Sequence, residues 1–126
     1  MGRWYGDGVL VADIHHVSLN IADTERSLGF YRDVLGMAVM PRPDFGFGGA
    51  WLDAGNGRQI HLIEAAVPGD LGQHVAFRVD DIDAAIDSLR ASGVEVSDAR
   101  PVGDTGIRQT FLLDPDGNRL ELTQPA

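Results

Sequence analysis

The sequence contains no cysteine, no lysine and no long apolar run. Without cysteine the chain can form neither a disulfide nor a thiolate metal site, so any metal ligand must be His, Asp or Glu. All ten basic residues are arginine, and they form no basic cluster. No segment approaches the roughly 20 apolar residues of a membrane span. We therefore predict no nucleic-acid partner and no membrane association.

The remaining composition is that of a folded protein. Hydrophobic residues make up 44% and charged residues 23% of the chain, so disorder is not expected. The net charge of −9 is most simply explained as a contribution to solubility. The N-terminal segment MGRWYGDGVLVADI has a short apolar stretch broken by Gly and Asp, which does not fit a secretory signal. We predict a cytoplasmic protein with a single domain over residues 1–126.

An internal repeat organises this domain. The segment HVSLNIADTERSLGFYRDVLGMAV, which begins at His16, resembles HVAFRVDDIDAAIDSLRASGVEV, which begins at His74. Farther along, WLDAGNGRQIHLIE from Trp51 resembles FLLDPDGNRLELTQ from Phe111, and this aligns His61 with Glu121. We therefore predict two repeats, at about 12–66 and 72–124, within one α+β domain.

Each repeat follows the pattern strand, helix and three strands, which is a βαβββ module. In the first repeat we predict strands at 14–21, 37–41, 50–53 and 59–64, and a helix that is capped by Asp23 or Thr24 and runs to about Leu35. In the second we predict strands at 74–79, 94–98, 108–113 and 119–123, and a helix at 81–91. The segments Pro41–Gly49 and Arg100–Gly106 are predicted to be irregular.

Strand alternation sorts the polar residues by face. His16 and His74 lie opposite the apolar residues that pack under each helix, and His61 and Glu121 occupy equivalent positions in the two repeats. If these open faces curve toward each other, the four side chains converge. Imidazole and carboxylate ligands suit zinc, iron(II), manganese, nickel or cobalt. His15 falls on the helix side, and we interpret it as structural.

Other residues on the open faces, together with Arg108 at their rim, are candidates for substrate binding. They are Ser18, Asn20, Trp51, Arg78, Arg108 and Arg119. One of the three arginines could anchor a substrate carboxylate, although a salt bridge within this acidic chain is an equally good explanation. The segment Pro41–Gly49 contains Phe45 and Phe47, and it is either a mobile lid or an ordinary loop that packs its own aromatic rings.

The segments IHHVSLNI, QIHLIE, GQHVAFRV and DPDGNRLEL resemble the four metal-strand motifs of the vicinal oxygen chelate superfamily, which includes glyoxalase, bleomycin resistance proteins and extradiol dioxygenases. The resemblance covers residues 14–124. It implies two βαβββ modules with curved mixed sheets around a metal-binding cup. It also implies a homodimer in which His16 and His61 of one subunit meet His74 and Glu121 of the other around one divalent metal ion.

The function implied by the resemblance is a metal-dependent enzyme acting on a small molecule with vicinal oxygens. Lyase, isomerase and dioxygenase reactions stay open, with Glu121 as the general base as well as a ligand. Glyoxalase I members usually have an acid where this chain has His61, whereas His16, His74 and Glu121 match the dioxygenase triad. The alternative is a binding protein that sequesters a small molecule without catalysis. The sequence does not identify the substrate.

Overall fold

The computed structural model describes residues 10–126. Residues 1–9, on which the predictions about the N-terminal segment and the start of the domain depend, lie outside the described residues. The first half contains β1 (His16–Ile21), α1 (Thr24–Tyr31), β2 (Ala38–Met40), β3 (Gly49–Gly55) and β4 (Arg58–Glu64). The second half contains β5 (Val75–Arg78), α2 (Ile82–Ala91), β6 (Arg100–Pro101), β7 (Arg108–Leu113) and β8 (Arg119–Gln124).

The two halves form two mixed sheets with the same strand order. The first sheet is ordered β1-β4-β3-β2 and the second β5-β8-β7-β6. In each sheet the strand before the helix pairs in parallel with the last strand of its half, and the other pairs are antiparallel. The predicted α+β architecture with two βαβββ modules is therefore confirmed. None of the helices within residues 10–126 is long and apolar enough to cross a membrane.

Local sequence signals explain where the helices begin. Asp23 caps α1 by accepting a hydrogen bond from the backbone N–H of Glu25, and Asp81 caps α2 in the same way through Ala84. Helix α1 ends at Tyr31, earlier than the predicted Leu35. The following residues continue as hydrogen-bonded turns up to Gly36, whose φ of 81° belongs to the left-handed region.

The predicted hairpin between β3 and β4 is confirmed. Its two turn residues, Asn56 and Gly57, have φ angles of 53° and 76°. Positive φ at both central residues is the requirement of a type I′ turn, and Asn-Gly is the dipeptide that tolerates it best. This turn places β3 beside β4 so that Trp51 lies opposite His61.

The strand predicted at 94–98 is wrong. Only Val96 forms a bridge there, with Leu112, and the edge strand β6 begins later, in the segment predicted to be irregular. In this segment, side chains donate hydrogen bonds to backbone carbonyls that a neighbouring strand would otherwise use. The Thr110 hydroxyl donates to the carbonyl of Ser97 at 2.6 Å, and Arg90 donates to the carbonyl of Val96 at 3.0 Å.

A buried polar network joins the β7–β8 turn to the first half of the chain. The hydroxyl of Tyr31, which is fully buried, donates to Asp114 Oδ2 at 2.7 Å. Asn118 Nδ2 donates to the carbonyl of Asn20 at 2.9 Å, and Asp116 forms an ion pair with Arg26. These contacts hold the turn against β1 and α1, so they set the relative position of the two sheets.

Candidate metal centre

The first pair of candidate ligands, His16 and His61, lies on neighbouring strands. Strands β1 and β4 are parallel, with Ser18 opposite His61, and this register brings the imidazole of His16 over that of His61. The two rings stack with centroids 3.9 Å apart and planes 13° apart. Trp51, opposite His61 on β3, stacks on the other side at 4.4 Å. We refer to His16 and His61 as the first donor pair.

The surroundings of His61 favour its neutral form. His61 as a residue is 9% exposed, and burial lowers the pKa of its imidazole. Positive charge on His16, His15 and Arg42 lowers this pKa further. A neutral imidazole has the lone pair that a metal ion needs. The Nε2 atom of His61 lies 2.8 Å from Gln59 Oε1, so the Gln59 amide orients the ring.

His15 does not pack on the helix side as predicted. It is exposed, and its Nδ1 atom lies 2.9 Å from Nδ1 of His16, so one ring donates a hydrogen bond to the other. This contact uses Nδ1 of His16 and leaves Nε2 available for a ligand. The adjacent histidines in the sequence were a possible signal for this contact. We did not predict it, because strand alternation places neighbouring side chains on opposite faces.

The second pair of candidate ligands is His74, just before β5, and Glu121 on β8. Nε2 of His74 lies 3.0 Å from Oε1 of Glu121. Nδ1 of His74 lies 2.9 Å from the carbonyl oxygen of Gly72, which can only accept a hydrogen bond, so Nδ1 carries a proton. A carbonyl that holds the far nitrogen of a histidine while the near nitrogen faces a carboxylate is typical of metal-binding histidines. We refer to His74 and Glu121 as the second donor pair.

The two donor pairs are equivalent in the two sheets. Ser18 lies opposite His61, and Ala76 lies opposite Glu121. Each pair also has an aromatic neighbour from the adjacent antiparallel strand, and in the second pair the Phe111 ring lies 5.7 Å from His74. The donor chemistry of the four residues fits a divalent metal ion. Within residues 10–126, however, no three or more side chains of the metal-binding types gather at one point, so one chain presents two pairs instead of a set of four.

Several of the residues predicted to bind substrate lie beside these pairs. Ser18, Asn20 and Arg119 line one pocket together with His74. Trp51 lines a second pocket, beside His61, whose other walls are Arg42, Phe45, Phe47, Leu62 and Ile63. The structure thus places four of the six residues next to a donor pair.

The other two arginines are engaged elsewhere. Arg108 lies opposite Gln124 on the side of the sheet that faces α2, and its guanidinium donates to Asp83 at 2.8 and 3.0 Å. This location corrects the predicted position of Arg108 at the rim of the cup. Arg78 lies on the open face, but its Nη1 atom is 3.2 Å from Asp80 Oδ1. Each of these two guanidiniums already pairs with an aspartate, so we do not include the two residues in the site.

The Pro41–Gly49 loop packs its own aromatic rings. Phe45 and Phe47 stack at 5.7 Å, and the guanidinium of Arg42 lies 5.0 and 5.3 Å from the two ring centroids. Arg42 also donates to the carbonyl of Phe47 at 3.0 Å. Phe45 lies 6.0 Å from Trp51, so the loop extends the aromatic stack that begins at the first donor pair. Each Phe is 50% exposed, which leaves an apolar wall open to solvent.

Comparison with known proteins identifies the family. The model of the Glyoxalase/Bleomycin resistance protein/Dioxygenase superfamily matches residues 13–122. The chain belongs to this superfamily. A lactoylglutathione lyase from Haemophilus influenzae is 33% identical over 123 residues, which cover 88% of this chain and 91% of that protein.

Solved structures of superfamily proteins have the same fold. A glyoxalase family protein from Bacillus anthracis superposes with a TM-score of 0.82 and 26% identity, covering 92% of this chain and 97% of that one. TnmS3, an antibiotic binding protein from a Streptomyces species, gives a TM-score of 0.80 at 25% identity, covering 94% of this chain and 99% of that one. The superfamily relatives therefore include both enzymes and binding proteins, and membership alone does not determine the reaction.

Proposed function

We propose that this superfamily member is a metal-dependent enzyme that acts on a small molecule with vicinal oxygens. The metal is one divalent ion per site, either zinc, iron, nickel, manganese or cobalt. Its ligands are His16, His61, His74 and Glu121. The observation that carries the proposal is the equivalence of the two donor pairs, each on the same register of its sheet and each packed against an aromatic ring.

The proposed roles follow from the surroundings of each residue. A bound divalent ion would polarise two neighbouring substrate oxygens as a Lewis acid. His16 and His61 supply imidazole donors, and stacking under Trp51 keeps the His61 ring in place. Gly72 holds Nδ1 of His74, which keeps Nε2 directed at Glu121. Glu121 is the only carboxylate among the four ligands, so it is the group that would also take a proton from the substrate.

We further propose that each site is shared between two copies of the chain. Each donor pair belongs to a separate sheet, and within residues 10–126 neither pair gains a third ligand. A homodimer in which the first pair of one subunit faces the second pair of its partner supplies four ligands to each of two sites. Two-fold symmetry makes both sites identical.

The reaction type is proposed to be that of a lyase or isomerase. The similarity to lactoylglutathione lyases supports this choice. His61 replaces the acid that glyoxalase I members usually have at this position, so we do not propose the same substrate. A dioxygenase reaction stays a second possibility because His16, His74 and Glu121 form two histidines and one carboxylate, the ligand set of many iron(II) oxygenases.

A different class of function, the sequestering of a small molecule, is favoured by one observation. Phe45, Phe47 and Trp51 form an exposed aromatic wall that could hold a planar ligand without catalysis. The similarity to the antibiotic binding protein TnmS3 supports this alternative. Metal binding discriminates the two, since a sequestering protein does not need the four ligands.

Mixing two inactive variants tests the shared site. His16→Ala and Glu121→Ala should each lose metal, because every site in either homodimer lacks one ligand. After dissociation and random reassociation, half of the dimers are mixed and contain one intact site, so metal content should recover to about a quarter of the wild-type value. Asp87→Ala, an exposed acid on α2, is the control and should keep full occupancy. No recovery in the mixture contradicts the shared site.

A further inference from the structure

Three arginines within residues 10–126 have no carboxylate at ion-pairing distance, although the chain is strongly acidic. They are Arg42, Arg100 and Arg119. The other six described arginines each pair with an aspartate. A guanidinium that stays unpaired among an excess of acids is available to bind an anion from outside the chain. Arg100 lies on the two-residue edge strand β6, whereas Arg42 and Arg119 lie beside the donor pairs.

Arg119 is held next to the second donor pair. It lies two residues before Glu121 on β8, so both side chains are on the same face, about 6.6 Å apart along the strand. Its guanidinium carbon lies 4.7 Å from the centroid of the Phe111 ring. The same ring lies 5.7 Å from His74. Phe111 therefore supports the arginine on one side and borders the donor pair on the other.

This cation–π contact leaves the hydrogen-bonding edge of Arg119 free. A guanidinium over an aromatic face loses little of its hydrogen-bonding capacity, because its N–H groups point outward in its own plane. Within the described residues, no hydrogen bond from the Arg119 side chain is present. Arg42 differs, since its Nη2 atom already donates to the carbonyl of Phe47. Arg119 is thus the better site for a bidentate anion.

The pocket around Arg119 is small and lined by both polar and apolar residues. Ser18, Asn20, Gln73, His74 and Asn118 line it with Arg119, and its volume is about 260 Å³. Pockets for drug-sized ligands occupy roughly 300–1,000 Å³, so this one suits a single small group. One acid, Asp70, also lines this pocket, and Asp70 and Glu95 line the adjoining groove on the Phe111 side, but neither carboxylate reaches the guanidinium within ion-pairing distance.

We propose that Arg119 binds a carboxylate of the substrate, which makes the substrate a small organic acid with vicinal oxygens at one end and a carboxylate at the other. This inference rests on the proposed function, because the vicinal oxygens are those placed between the donor pairs. The spacing between Arg119 and Glu121 sets the distance between the two ends of the substrate. Arg119 is a specificity-determining residue in this arrangement and not a metal ligand.

Two ligands that differ only in a carboxylate test the inference. Catechol presents vicinal oxygens, and 3,4-dihydroxybenzoate presents the same oxygens with a carboxylate on the ring. Their dissociation constants are measured by calorimetry on the zinc-loaded full-length protein without oxygen. We expect wild type to bind 3,4-dihydroxybenzoate about tenfold more tightly than catechol. Arg119→Gln should abolish this preference and leave catechol binding unchanged, and Arg119→Lys should keep only part of it.

Arg78→Gln is the matched control. It changes the net charge equally and lies on the same face of the same sheet, but Arg78 is paired with Asp80. The control should retain the tenfold preference. Zinc content is measured for every variant. If zinc is bound and the preference persists in Arg119→Gln, the inference is overturned while the proposed function stands. If wild type binds neither zinc nor any of the other proposed metals, the proposed function fails first, and the inference fails with it.

Discussion

Tyr31 offers a test of the polar network that joins the two halves of the chain. Replacing it with phenylalanine removes the hydroxyl that donates to Asp114 at 2.7 Å and leaves the ring in place. Asp114 keeps three other donors, the backbone N–H groups of Asp116 and Asn118 and the side-chain amide of Asn118. No buried acceptor is orphaned, so the cost is one hydrogen bond to a charged group, about 2 kcal/mol at pH 8.

The free-energy cost of Tyr31→Phe should decrease as the pH rises above 10. Burial raises the pKa of Tyr31 far above its usual value, and the negative charge of Asp114 and its hydrogen bond raise this pKa further. Above pH 10, therefore, only the unfolded chain releases the phenolic proton. Wild type then loses about 1.4 kcal/mol of unfolding free energy per pH unit, and Tyr31→Phe does not. The advantage of wild type should fall to about 0.6 kcal/mol at pH 11.

Urea denaturation at several pH values between 8 and 11 measures this difference. All other titrating groups are present in both proteins, so their contributions cancel when the two free energies of unfolding are subtracted. Tyr31→Phe should also keep its metal content, because Tyr31 touches neither donor pair. A difference of about 2 kcal/mol that stays constant up to pH 11 would refute the argument. A difference near zero at pH 8 would show that the hydrogen bond adds no stability.

Two further predictions concern the first donor pair and its sheet. Burial lowers the pKa of His61 in the folded protein. The neutral ring therefore adds stability above pH 6.5, which is about the pKa of histidine in the unfolded chain, and this contribution is lost as pH falls. With EDTA present, urea denaturation should show that wild type has a higher free energy of unfolding than His61→Gln, and that this difference shrinks between pH 7.5 and pH 5.5. A difference that grows on acidification would contradict the prediction. Gly49→Ala should destabilise the protein by about 3 kcal/mol or more, because its Cβ would lie 2.2 Å from the backbone oxygen of Leu62. Its control, Gly29→Ala in α1, has open space and should stabilise by about 0.5–1 kcal/mol, so equal melting temperatures would refute the steric argument.

Much of the fold was predictable because its signals are local or repeat in the sequence. Asp23 and Asp81 cap the helices by accepting hydrogen bonds from backbone N–H groups two and three residues farther along the chain. Asn56-Gly57 forms its turn with little help from the rest of the chain. Because the two repeats are similar, the strands and helix predicted in one half supported those predicted in the other. The segment at 94–98 was mispredicted because its hydrogen-bonding groups are satisfied by Thr110 and Arg90, and sequence alternation carries no information about such tertiary contacts.

The candidate site, like the fold, was predictable only where its signals are local. Strand alternation predicted the faces of the four proposed ligands, since a period of two depends only on position along a strand. It could not predict the hydrogen bonds that orient His61 and His74, because these depend on the conformations of Gln59 and of the backbone at Gly72. Nor could it distinguish the three candidate arginines. Their ion-pair partners, or the lack of one, follow from distances that only the folded chain defines.

The metal content of the protein tests the central claim most directly. Untagged protein is purified without oxygen and without added metal, and elemental analysis gives the moles of each metal per chain. We predict about one divalent ion per chain in wild type, and a large loss in the alanine variants of His16, His61, His74 and Glu121. Iron would direct the search toward dioxygenase substrates, and zinc, nickel, manganese or cobalt toward lyase and isomerase substrates. A wild-type protein that contains no metal and takes up none on titration would contradict the account and leave a small-molecule binding protein.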